Sequence, residues 1–229
     1  MRSSAPDIPL WPLPLLITLL FLLAAHLAYA ISIAEQHVPA CMPYLEGCVS
    51  ISRASRHGLG NHLFRLLVIP CAVLHALTWW LSRRWLTARS AHLRSLALMQ
   101  GLGLASAFAL AVYASFLGTQ GEVYGFLRRY GVTVYFGFGF VAQLLLMRQA
   151  SRVEAITPRI ARVMACICVA MLMLGLGNVA AGALVGDHDL RDRIENALEW
   201  QLGLLMVGWY AMLARAWKRG GLAMRLVAA

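Results

Sequence analysis

Charge is what this chain has least of: aspartate, glutamate, lysine and arginine make up 13% of its 229 residues, and Lys218 is its one lysine. A soluble domain carries about 25% charged and about 45–50% apolar residues. Here 60% of the residues are hydrophobic and the mean hydropathy is +0.68, which excludes a water-soluble globule. No low-complexity or linker segment interrupts the chain, so residues 1–229 are expected to form one domain. Signatures of hydrolytic chemistry are also missing. There is no HExxH or HxxxH pair to hold zinc and no GxSxG elbow to present a nucleophile.

What is present is a series of apolar runs, each close to the roughly 20 residues that cross a bilayer. They cover about residues 10–33, 64–81, 93–117, 131–147, 160–185 and 194–214. These predict an all-α, polytopic membrane bundle of six transmembrane helices. The first run follows Arg2 and ends near Ala28-Tyr29-Ala30, a pattern that resembles a signal-peptide cleavage site. It exceeds the roughly 7–15 residues of a signal h-region, so a retained helix is expected.

The formal charge of +10 follows from topology. Arg83, Arg84, Arg89 and Arg94 mark one loop, Arg148, Arg152, Arg159 and Arg162 another, and Arg215, Lys218, Arg219 and Arg225 the tail. Short basic loops belong in the cytoplasm, which puts both termini there and the 34–63 loop outside. Loops this short cannot build a nucleic-acid reading domain, so no nucleic acid is expected. Nearly exclusive use of arginine over lysine suits a GC-rich bacterial genome, and hence a bacterial inner (plasma) membrane.

The outer loop 34–63 is the longest polar interruption. Cys41 and Cys48 lie within it, in a compartment that permits a disulfide. Cys71, Cys166 and Cys168 fall inside apolar runs and read as small buried residues. His57 and His62 flank the loop and are candidate ligand contacts or acid–base groups; as solvated side chains they carry no metal expectation. His26 and His75 sit at different depths, which disfavours haem, and no cofactor or metal is expected. Ser50, Ser52 and Ser55 lie near His57, yet a serine-rich turn bonding its own backbone explains them without catalysis.

Glu195 and Glu199 share one helix face, and Glu199 falls about a turn inside the boundary of the last run. An ionisable group at that depth costs at least about 2.5 kcal/mol unless paired or wet, so it is a functional candidate. Arg65, at the outer start of the second run, is its expected partner, and Asn178 lies at similar depth in the fifth. Gln143 and Gln100 are expected to bond between helices. Gly101, Gly103, Gly175, Gly177 and the Gly182–Gly186 pair are expected to bring helices close or to form a dimer face. Trp11, Tyr29, Trp79, Trp85, Tyr130, Trp200 and Trp217 read as interfacial anchors.

Pro43-Tyr44 and Ser50-Ile51-Ser52, followed by Ala54 and Gly58, together with Glu199-Trp200 at the start of the last helix, resemble the DRAM/Frag/Sfk family of membrane proteins. Its relatives include the eukaryotic factor that remodels GPI anchors. Arg53 and Arg56 stand here where an acidic residue and a glycine often follow in that loop. The resemblance implies six helices and a role tied to membrane lipids, with no catalytic residue set to transfer and no link to autophagy.

The expectation is a protein that binds or organises membrane lipid, or assists a lipid-handling partner, through its outer face. Membrane lipids are the expected partners, with a membrane protein or a second copy of the chain as further ones. The candidate contacts are Pro43, Tyr44, Ser50, Ser52, His57, His62, Arg65, Asn178, Glu195, Glu199 and Trp200. An integral membrane enzyme acting on a lipid head group or acyl chain is the alternative, and a small transporter a third.

Overall fold

The computed structural model describes residues 7–89 and 92–225. Strand β1 (Asp7–Pro9) is followed by α1 (Pro12–Ala34), two single-turn helices, α2 (Pro43–Glu46) and α3 (Ile51–Ala54), and then α4 (Gly58–Thr87). The chain continues through α5 (Leu93–Phe116), α6 (Glu122–Arg152), α7 (Pro158–Leu184) and α8 (His188–Arg219) to strand β2 (Ala223–Arg225). The two strands pair antiparallel and tie the ends of the chain together, a small departure from a purely helical expectation. An Asp7–Arg225 ion pair spans the ribbon, Nε to Oδ1 3.0 Å.

Helices α1, α4, α5, α6 and α7 are each long and apolar enough to cross a membrane, and the chain is a multi-pass integral membrane protein. Helix α8 is as long, but Asp189, Arg191, Asp192, Arg193 and Glu195 load its first turns with charge. Its charge sets it apart from the other five. Helices α4, α6 and α8 overrun the apolar runs that predict them, because helical hydrogen bonding continues past the bilayer-length core, whereas α1, α5 and α7 match theirs to within about two residues. The 34–63 loop is accordingly shorter than expected, since α4 already begins at Gly58.

Successive long helices run antiparallel. Helices α5 and α6 form a tight hairpin, α4 lies between α5 and α1, and α8 lies between α1 and α7. At one end, the loop end, lie residues 35–57, the α5–α6 turn and the α7–α8 turn. The ribbon and the remaining turns form the terminal end.

The interior is built from aromatic rings. Trp79, Trp200, Trp209 and Trp217 are fully buried, with Tyr135 and Tyr210. Three of the tryptophans expected as interfacial anchors, Trp79, Trp200 and Trp217, are therefore core residues; Trp85 is also buried, and Tyr130 is exposed. Apolar neighbours on adjacent helices outcompete the membrane interface for these large rings. Gly103 makes room for one of them, since a Cβ there would lie 2.3 Å from the Trp79 indole.

Polar side chains stitch helices as expected. Gln143 Nε2 donates to Met206 O (3.3 Å), and Arg83 Nη1 donates to Gln100 Oε1 (2.6 Å). His75 is buried against the Tyr210 hydroxyl, Nδ1 to OH 3.0 Å. Other small residues depart from expectation. A Cβ on Gly101, Gly175, Gly177 or Gly186 would meet nothing within 4 Å, so these glycines bring no helices together. Cys166 faces outward while Cys71 and Cys168 are buried.

Helix α7 buries Ile160, Met164, Cys168 and Met171 on one stripe and then, toward the loop end, only Ala181. Leu172, Met173, Leu176, Val179 and Leu184 are all exposed. Its second half has parted from the α5–α6 hairpin.

Candidate functional site

The loop end is assembled by the polar first half of α8. Arg193 Nε donates to Glu46 O (3.3 Å), Asn196 Nδ2 to Gly47 O (2.9 Å), Trp200 Nε1 to Val49 O (2.9 Å) and Gln201 Nε2 to Tyr44 O (2.8 Å). Positions 193, 196, 200 and 201 share a helix face, so one face of α8 satisfies the carbonyls of a loop about 150 residues away in sequence. Gly47 permits the approach. It ends α2 in the left-handed region (φ 59°), and a Cβ there would fall 1.8 Å from Arg193 O.

Glu199 completes the clasp. Its Oε1 accepts from Ser52 N at 3.2 Å, which places a carboxylate on the open amides of the α3 first turn. Ser50 caps the same turn, accepting from Arg53 N at 3.1 Å, and its hydroxyl lies 3.1 Å from that of Ser52. Pro43 starts α2, and Cys41 and Cys48 are joined by a disulfide that brackets it. Tyr29 OH donates to Cys41 O and accepts from Cys41 N, both at 2.9 Å.

Tyr44 OH lies 3.0 Å from His26 Nε2, and the Tyr44, His26 and Tyr29 rings surround Trp200 with centroids 5.4–5.6 Å away. Partial burial holds the Tyr44 phenol above its ordinary range, so it stays protonated. The residues of the three short motifs thus meet: Tyr44 and Trp200 ring to ring, Ser52 and Glu199 amide to carboxylate.

Other candidates lie elsewhere. His57 is exposed and tilted against His37, ring centroids 5.3 Å apart; His37 in turn reaches Glu35 at 3.3 Å. His62 is exposed, and neither His57 nor His62 lines the cavities beside Glu199. Among the described residues Arg65 forms no ion pair, with Glu199 or any other acid, so the expected partnership is not made. The inward stripe of α4 runs through Phe64, Val68, Cys71 and His75, which turns Arg65 roughly 100° away from it. Asn178 is half-buried on the second half of α7, which stays against α8 but away from the α5–α6 hairpin, and makes no hydrogen bond to Glu199. Glu195 packs toward α7, its Oε1 3.7 Å from where a Gly182 Cβ would stand. Among the described residues no group of His, Cys, Asp and Glu converges as metal ligands would.

Beside the clasp a cleft of about 640 Å³ opens between α3, the end of α5 and the start of α6. Ser52 and Arg56 form one wall, Tyr113 and Leu117 the back, and Glu122, Phe126, Arg128, Arg129, Tyr130 and Val132 the other wall. Arg128 Nη1 donates to Phe116 O (3.2 Å) and to Thr119 O, holding the last carbonyl of α5 and one of the α5–α6 turn. The buried Nε of Arg56 has no protein partner. Phe126 and Tyr130, rings 4.2 Å apart, are exposed at the rim. Tyr113 and Val132 also line a narrow apolar crevice that runs inward past Phe21, Phe64 and Leu110 and ends on Glu199.

Composition alone does not disclose this cleft. Its signal is local: Arg128-Arg129 is an adjacent arginine pair outside the three basic clusters, and Arg56 is one of the two arginines of the 34–63 loop. Comparison with protein-family models, with curated proteins and with solved structures finds no match.

Proposed function

We propose that this protein crosses a bacterial inner membrane six times, with α8 as the sixth span and both termini cytoplasmic, and binds membrane lipid through its loop end. The arginine-rich terminal end supports that orientation. Tyr130, an exposed aromatic ring where the apolar part of α6 begins, agrees with a membrane boundary there. The resemblance to DRAM/Frag/Sfk proteins agrees with a lipid-linked role.

One observation carries the reading: a polar cleft of about 640 Å³ whose rim is made of exposed aromatic rings and whose floor continues into an apolar crevice. Ligand sites commonly have volumes of about 300–1,000 Å³. A cleft that sets arginines and a glutamate beside exposed aromatic rings matches an amphiphile, whose head group needs polar partners while its chains stay in the bilayer. Glu199 enters as the anchor of the wall, because its carboxylate holds the α3 turn that carries Ser52 and Arg56.

The test fills the cleft. Gly125 lines it, and a Cβ there meets only the Arg128 guanidinium, at 3.9 Å. Gly125→Trp should leave the bundle intact and cut co-purifying lipid, measured by native mass spectrometry, to below half of the wild-type occupancy. Unchanged bound lipid in that variant would sink the proposal.

A further inference from the structure

Charge at the loop end is arranged in a way that topology does not require. Positive-inside placement accounts for arginines at the terminal end and predicts few at the other. The loop end carries the acids Glu35, Glu46, Asp187, Asp189, Asp192 and Glu195, with Arg53, Arg191 and Arg193 among them. Yet three guanidinium groups, Arg56, Arg128 and Arg129, line a single cleft there, against Glu122 as its one lining carboxylate. They come from two separate stretches of chain, so no local sequence preference groups them. Like charges gathered in one partly enclosed space repel, and an occupant of opposite charge relieves that cost.

We infer that the cleft selects an anionic phosphate head group, held by Arg56, Arg128 and Arg129 with the Ser52 hydroxyl beside them. This deepens, and rests on, the lipid-binding proposal above. Guanidinium is the side chain best matched to phosphate, since its planar N–H donors engage two oxygens at once. Arg56 lines the cleft beside Ser52, and its buried Nε takes no protein acceptor, so no neighbour on the protein claims this guanidinium by a hydrogen bond at that atom. Arg128 spends one nitrogen on carbonyls of α5 and the α5–α6 turn, which fixes the plane of the group and leaves its other N–H donors to face the cleft. The apolar crevice below holds only about 10 Å³, too little for an acyl chain, so the chains remain outside, along α6.

The experiment titrates full-length protein in detergent micelles with phosphatidylglycerol, phosphatidylcholine or inorganic phosphate, and reads bound lipid by native mass spectrometry. The wild type should prefer phosphatidylglycerol over phosphatidylcholine by about tenfold or more, since each basic residue near an anionic head group contributes about a fivefold change. Arg56→Gln with Arg129→Gln should bring the two lipids within about twofold. Arg129 is exposed, so Arg129→Gln alone carries the test if the double variant fails to fold; it should lower the preference about fivefold. Glu122→Gln removes the opposing charge and should tighten phosphatidylglycerol about fivefold. Arg191→Gln, at the same end but outside the cleft, should change nothing.

Equal binding of the two lipids by wild type, or a preference undiminished in Arg129→Gln, would overturn the inference. If Gly125→Trp still removes both lipids in that case, lipid binding itself stands and only the charge selection fails. Inorganic phosphate should not displace phosphatidylglycerol at equal concentration. Displacement would assign the cleft to a free anion and overturn the head-group source.

Discussion

The two ends of this molecule both carry arginine, and they use it differently. At the terminal end the cations spread over the surface and lie on tryptophan faces: Arg84 over Trp80 at 4.6 Å, Arg89 over Trp85 at 5.6 Å and Lys218 over Trp11 at 4.7 Å. Each is satisfied where it stands, beside a ring of the kind that anchors helices at an interface. At the loop end fewer arginines converge on one cleft, and one keeps a buried donor without a partner. Arginine in a membrane protein is therefore informative by its company more than by its number.

The ends also differ in how they are held. The loop end depends on side chains of α8 meeting backbone carbonyls and an amide at fixed positions, one of these bonds buried and most of the rest partly so. The terminal end is closed by a short exposed ribbon and an ion pair in solvent. A hydrogen bond shielded from water is costly to break, because its partner is left unsatisfied. An exposed ion pair is worth little, because water and salt replace it.

That contrast orders the expected mutational effects. Gly47→Val should be the most damaging: it forces a β-branched residue into the left-handed region and drives its Cβ into Arg193 O. A loss of about 3 kcal/mol or more is expected, read as a lowered thermal midpoint and early proteolysis of the 35–57 loop. A variant with wild-type stability would show that α8 does not clasp the loop.

Next comes Glu199→Leu, which strands the Ser52 amide and should cost about 2 kcal/mol. Glu199→Gln, which keeps an acceptor oxygen, should cost less than half of that. Equal effects from the two would mean that volume, rather than the hydrogen bond, holds the turn.

The smallest effect belongs to the terminal end. The Arg225 guanidinium, by hydrogen bond and charge, holds the Asp7 carboxyl below its usual 3.8. Stability from such a depressed acid is complete well above its unfolded pKa and is lost as pH falls from about 4 through the lowered folded value. Asp7→Asn should therefore leave the melting of the bundle unchanged and speed amide exchange only within residues 7–9 and 223–225, above that pH window. A global loss of stability would erase the distinction between the ends.

Five of the long helices were legible because each apolar run has to satisfy the bilayer by itself. The clasp was legible only in its parts. Pro43-Tyr44, Ser50-Ile51-Ser52 and Glu199-Trp200 stand out as motifs, but nothing in their spacing says that Trp200 bonds Val49 O or that Glu199 holds Ser52 N. The Arg65–Glu199 pairing was expected from matching depth alone. Depth is readable from position along a helix, whereas azimuth depends on which face packs, and Phe64 rather than Arg65 faces inward. Asn178 continues the inward stripe of α7, but that half of the helix meets α8 at Gly182 and Glu195 rather than at Glu199, so matching depth does not bring the two together.

What the sequence determined by itself is the membrane character of the chain, its apolar segments and the bias of arginine toward one set of turns. Each follows from a cost that a segment meets alone, in transferring apolar surface or charge between water and hydrocarbon. The rotation of α4, the splay of α7 and the grasp of α8 on the loop were decided only in the tertiary structure. They place Ser52, Arg56, Tyr113 and Arg128 around one cleft, and they depend on how buried rings and carbonyls on different helices fit one another.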